Sequence, residues 1–240
     1  VESLSGWWEL AGVDSAVQEK TLDLLERDAV VSSPTMPTLS NTEKKQAELA
    51  AVPATMWPSD IATLRQMVAN GSPLPGNAYG PIRLPPIGPD SCDVMVISDL
   101  PDILDRHDMN MSANGTLLRR MFAAIGIETA HCYCTWLATS MPSTGEVPEN
   151  DLPDLAAFML HQIRLIRPKS LVILGSAASK ALLGEELMQS RAELRYVHED
   201  GFNLPTLVTF HPRTLIARPA MKKQAWRDLQ IFAKEVVQCA

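Results

Sequence analysis

Residues 167 to 184 read RPKSLVILGSAASKALLG, and the order of proline, apolar run, glycine and second apolar run in this stretch decides the fold. Ser170 to Leu174 is a short continuous apolar run between Pro168 and Gly175, the pattern of a strand covered on both faces. Ser176 to Leu183 follows as a helix that Gly184 closes. Immediately upstream, Asp151 to Arg167 is a long amphipathic helix with Leu155, Phe158, Met159, Ile163, Leu165 and Ile166 on its apolar side, and Pro168 stops it. Helix, buried strand and helix in close succession belong to an alternating α/β arrangement.

The same alternation extends in both directions. CDVMVIS (92 to 98) is a first strand, Ser112 to Ile125 a helix closed by Gly126, and HCYCTWL (131 to 137) a second strand, which together make a parallel crossover. Downstream, a less regular stretch, AELRYVHEDGF, leads to a strand TLVTF (206 to 210) and a terminal helix from Pro219 to Val237. Four strands, each followed by a helix, predict a three-layer α/β fold: an open sheet of four parallel strands with helices on both faces over residues 91 to 240. Ligands of such sheets sit beyond the carboxyl ends of the strands. The segments SDLPD, TSMPSTG and HPRTLIARP therefore line the expected crevice.

Residues 1 to 90 read differently, as a helical N-terminal extension and a Pro-rich linker. A short helix around Trp7 to Ala11 and a second, capped by Asp14 and running to about Arg27, precede a Ser/Thr/Pro segment from Val30 to Thr42. TEKKQAELAAV is a polar helix ended by Pro53, and PSDIATLRQMVANG an amphipathic one with Ser59 as N-cap and Gly71 as its stop. Residues 72 to 90 hold six prolines and three glycines, a density that excludes regular structure. Adjacent Trp7 and Trp8 either pack on the core or form a docking peptide, so a protein partner acting through residues 1 to 28 is one expectation.

Composition excludes several classes. No run of about 18 apolar residues marks a membrane span, and the first ten residues lack the pattern of a secretory signal, so the expected location is cytoplasmic with no membrane partner. The four cysteines have no C-x-x-C spacing; Cys132 and Cys134 lie on one face of a strand, as buried thiols. The five histidines are scattered without ligand spacing, so no metal is expected. Net charge is −7, from eleven acids and six bases in residues 1 to 90 and seventeen and fifteen in the remainder.

Against that balance, LPTLVTFHPRTLIARPAMKKQAWR (204 to 227) carries Arg213, Arg218, Lys222, Lys223 and Arg227, and no Asp or Glu occurs from Gly201 to Arg227. It places His211 at the exit of an apolar strand inside a local positive field. The run is either a phosphate-binding surface or the solvated face of a terminal helix, and its continuity with His211 favours phosphate.

With these residues in place, Asp93 to Val237 resembles the uracil-DNA glycosylase superfamily, most closely its family 4 branch. The resemblance rests on VMVISDLPD, SANGTLLRRMFAAIGIE, HQIRLIRPKSLVILGSAASKALLG and LVTFHPRTLIARPAMKKQAWRDLQ. It implies a DNA-binding groove across the strand ends, a base flipped into a pocket, and hydrolysis of its N-glycosidic bond. By the same resemblance His211 is the second-motif histidine, a hydrogen-bond donor to the leaving base, and Asp99 the first-motif carboxylate. Each has a plainer alternative, His211 as a strand-end cap and Asp99 as a helix-cap or loop residue. Arg213 and Arg218 are expected at DNA phosphates, as are the backbone amides between Ser112 and Gly115.

Departures from the family pattern are equally definite. Its first motif, Gly-Glu-Ala-Pro-Gly, stands here as Ser98, Asp99, Leu100, Pro101 and Asp102, so both glycines are replaced. The base pocket implied by the family falls on Pro101, Asn110 and Trp136: Asn110 has no ring face for stacking, and Thr135 or Trp136 takes the place of the base-reading Asn. The four iron–sulfur cysteines of family 4 have no counterparts, with Ser140 and Ala156 near two of their positions, so neither a cluster nor any other cofactor is expected. A second resemblance, of VMVISDLPDILD and the Trp-bearing N-terminus to the psi subunit of the bacterial polymerase III clamp loader, implies an inactive subunit that docks through Trp7 and Trp8.

Overall fold

A computed structural model describes residues 57 to 102, 112 to 199 and 201 to 237. The first helix, α1 (Ile61–Ala69), starts one residue later than Ser59 would start it: Asp60 is the cap, its carboxylate accepting from the Thr63 amide at 2.8 Å and the Thr63 hydroxyl at 2.7 Å. Leu64 and Val68 on its inner face pack with Leu74 and Phe158. The proline-rich chain that follows holds no helix or full strand, yet it is fastened down. Arg65 donates to the carbonyls of Pro86 and Gly88 at 3.0 and 2.6 Å, and Ile87 makes an isolated antiparallel bridge to Cys134.

The sheet is built from β1 (Val94–Ser98), β2 (Tyr133–Trp136), β3 (Ser170–Leu174), β4 (Leu194–Glu199) and β5 (Phe202–Thr209), in the order β2-β1-β3-β5-β4. The helices between them are α2 (Ala113–Ala123), α3 (Leu152–Ile166), α4 (Ser176–Leu183) and α5 (Leu187–Ser190), with α6 (Pro212–Ala217) and α7 (Lys222–Phe232) after β5. Four strands are parallel, as the alternation of strand and helix requires. The expected sheet of four is corrected to five, because the stretch read as irregular forms β4 and pairs antiparallel with β5, Tyr196 opposite Pro205.

Two-residue periodicity divides the strand side chains between two cores. Met95, Ile97, Leu171, Ile173 and Val208 meet Leu155, Met159, Ile163 and Ile166 of α3 on one face. Val96, Val172, Leu174 and Leu207 meet Leu118 and Phe122 of α2 and Leu229 and Phe232 of α7 on the other. Cys132 and Cys134 lie together in this second core, as free thiols, on the shared face that their spacing predicts. With both faces covered, the strand ends are the exposed part of the sheet, and β1, β3 and β5 deliver Asp99, Gly175 and His211 to the same edge.

Candidate active site

Asp99 leaves the end of β1 and turns its carboxylate onto the start of α4, where one oxygen accepts the Ala178 amide at 2.7 Å. Burial pushes its pKa up, while the amides of Ala178, Ala177 and Ser176 and the charge of Arg213 pull it back. Gly175 makes the approach possible. Its φ is +119°, a value side-chain-bearing residues avoid, and a Cβ there would collide with the Asp99 carboxylate. The carboxylate therefore acts as a helix cap supplied from another strand, the plainer of its two expected roles, while remaining in the wall of a cavity.

His211 caps α6. Its Nδ1 accepts the Arg213 amide at 3.1 Å, which assigns the ring proton of the neutral form to Nε2. Burial lowers the imidazole pKa to about 4, with Arg213 acting in the same direction and Asp102 against it. At neutral pH the ring is thus uncharged with an N–H left to donate. Asp99 and His211 line one cavity of about 380 Å³, with Leu100, Ser176, Lys180 and Arg213 among its other walls. Lys180 is held there by Glu149 at 2.7 Å and Glu186 at 3.5 Å. The volume lies within the range of roughly 300 to 1,000 Å³ usual for ligand pockets.

The other side of His211 is nearly full. Leu100, Asp102, Asn114, Gly115, Leu118, Trp136 and Pro212 leave about 20 Å³ against it, room for about one water. Trp136, at the end of β2 and 4% exposed, supplies the bulk. Thr135 points to the opposite face, donating to Gln162 Oε1 at 3.1 Å, so of the two candidates for the base-reading position Trp136 is the one that faces the site. Pro101 is buried, and Asp102 accepts from Asn114 Nδ2 at 2.7 Å. Asn110, like Trp7 and Trp8, lies outside the described residues.

Among the expected phosphate contacts, Arg213 and Arg218 are exposed. Ser112 caps α2, and its Oγ accepts the Gly115 amide at 2.9 Å; both residues are buried, so that amide is engaged inside the chain. The donors near the family's cluster positions do not fit iron–sulfur ligation. Ser140 is a buried hydroxyl that donates to Gly76 O and accepts the Tyr79 amide, each at 3.0 Å, and Ala156 offers no ligand atom.

Two features of the site went unread in the sequence. In the sequence Gly175 reads only as the residue that bounds the strand Ser170 to Leu174, and its service to Asp99 is a contact between distant segments that no local pattern reports. Behind His211, the wholly buried Asp228 accepts from Arg191 Nη2 at 2.9 Å, Arg191 Nε at 3.2 Å and Thr209 Oγ1 at 2.8 Å. Arg191 also lies over the Phe210 ring at 4.8 Å. This cluster fixes the two residues that lead into His211, but an Asp within QAWRDLQ gives no sign of burial.

Residues 85–230 match the family model described as the uracil DNA glycosylase superfamily. A type-4 uracil-DNA glycosylase of Pyrobaculum aerophilum is 23% identical over 184 residues, covering 72% of this chain and 93% of its own.

Proposed function

The chain belongs to the uracil-DNA glycosylase superfamily, and on that premise we propose that it acts on DNA, binding it across the strand-end crevice and cleaving the N-glycosidic bond of a flipped nucleotide. One observation carries this reading: a neutral imidazole that carries its proton on Nε2 shares a ligand-sized cavity with a carboxylate. Base loss leaves negative charge on the departing base and builds positive charge on the sugar. A neutral donor at a base oxygen stabilises the first, and the fixed Asp99 charge the second. Arg213 and Arg218 hold phosphates on the same side. The base enters on the Asp99 side of His211, since the Trp136 side holds about 20 Å³.

The same 20 Å³ favours a second reading, in which the fold has kept DNA binding and lost the chemistry. In that form the protein is a subunit of a repair or replication assembly docked through Trp7 and Trp8. The two readings separate in one assay, release of base from oligonucleotides carrying uracil, hypoxanthine or an alkylated base. Excision requires release from at least one of these and its loss in His211→Ala. Absence of release from all three would leave the binding subunit, and unchanged partner capture after deletion of residues 1 to 28 would remove the docking part of that alternative.

A further inference from the structure

The exposed face of α7 carries an aromatic side chain that nothing in the crevice uses. Trp226 is 41% exposed, one of four large apolar side chains that the described residues leave in solvent. Helix geometry sets its neighbours: Lys222 and Lys223 stand four and three positions before it, one turn away on the same side, and both are exposed. Arg227 is next in sequence and also exposed. Among the described residues none of these three cations forms an ion pair. The only acid within α7 is Asp228, which faces the core and is consumed by Arg191 and Thr209.

A solvent-facing indole beside cations that form no ion pair among the described residues, on a helix whose one carboxylate is buried, suits a chain that presents bare bases and phosphates in alternation. A base stacks on the indole whatever its identity, and the phosphates on either side meet the lysines. A duplex offers phosphates to the same cations but hides its base faces in the stack. We propose that the Trp226 face of α7 is a binding surface for single-stranded DNA, outside the crevice. The surface rests on the reading that the chain engages DNA, and is independent of whether it excises a base.

The test uses the full chain and a labelled single-stranded oligothymidylate, with a duplex of equal length for comparison, by fluorescence anisotropy across a salt series. Trp226→Ala weakens single-strand binding by roughly 5- to 150-fold, the range spanned by one base–aromatic stack, and leaves duplex binding within about twofold. Trp226→Phe keeps most of the affinity, which separates lost stacking from a disturbed helix. The double change Lys222→Ala with Lys223→Ala flattens the single-strand salt slope by about 1.4, or about 0.7 per phosphate contact. Single-strand binding by Trp226→Ala equal to wild type overturns the proposal. So does self-association of the chain that Trp226→Ala abolishes while single-strand binding stands unchanged, since the face then serves a second copy. If wild type binds the single strand through Trp226 but releases no base, the excision reading fails and this one stands; His211-dependent release with no effect of Trp226 gives the reverse.

Discussion

The two sides of His211 are built on opposite plans. On the β5 side, a strand ends at Thr209, bonded to a buried ion pair, then comes a neutral histidine, then two short helices whose outer surface is cationic. On the β2 side the last strand residue is a tryptophan that fills the space beside the histidine, and the facing loop adds Leu100 and Asp102. One wall presents a neutral imidazole and exposed cations, and the other is packed as core. Each wall is anchored by separate contacts.

The largest expected effect comes from removing an anchor of the β5 wall. Asp228→Ala leaves the Arg191 guanidinium buried without its partner, and breaking such a pair costs about 3–5 kcal/mol. Urea unfolding of this variant should show that loss, and DNA affinity at a temperature where it remains folded should fall as well, because Thr209 and Phe210 lose their fixed approach to His211. Undiminished stability would mean that the wall is not held from behind.

Trp136→Ala probes the other wall. Removing a fully packed aromatic costs about 3–5 kcal/mol, yet phosphate-dependent DNA binding should persist because the cations lie across the crevice. A parallel collapse of DNA affinity would erase the contrast. Gly175→Ala comes next, at about 1–3 kcal/mol for a forced positive φ together with the collision with Asp99. Combining it with Asp99→Gly should recover part of the loss, and that non-additivity in a double-mutant cycle would measure how closely the two residues are fitted.

How much of this was legible depends on the range of each signal. Ser170 to Leu174 and Ser176 to Leu183 emerge at the residues expected, because apolar runs flanked by proline and glycine are local statements. The edge strand β4 was hidden by its charges, Arg195 and His198, which suit a half-solvated edge and look irregular beside the apolar inner strands. Pro205 hid the first half of β5. Proline is tolerated there because pairing with β3 begins at Thr206, so β5 has a partner on one side alone at that point. His211 and the basic run were visible from composition, whereas the Asp99–Gly175 fit and the Asp228 cluster depend on segments 76 and 37 residues apart meeting in space.

Smaller effects refine the contrast. Arg213→Ala and Arg218→Ala should each reduce the salt slope of duplex binding by about 0.9 with little change in thermal stability. The pH response of His211 is the finest test. Its folded pKa of about 4 lies below the ordinary 6.5, so the native state refuses a proton that the unfolded chain accepts. Its contribution to stability is whole above pH 6.5 and is lost as pH falls toward 4; Asp99 and Asp228, shifted upward, run the other way. Melting temperatures of wild type and His211→Asn should therefore converge on acidification from pH 6.5 to 4.5. An NMR titration should place the imidazole near 4.

The most direct measurement is the rate of base release from uracil-, hypoxanthine- and alkylated-base oligonucleotides by wild type, His211→Ala and Trp136→Phe in one experiment. An active β5 wall beside a closed β2 wall predicts release from at least one substrate, its abolition in His211→Ala, and its persistence in Trp136→Phe. Release that is absent from the wild-type protein, or that survives the loss of His211, would contradict it.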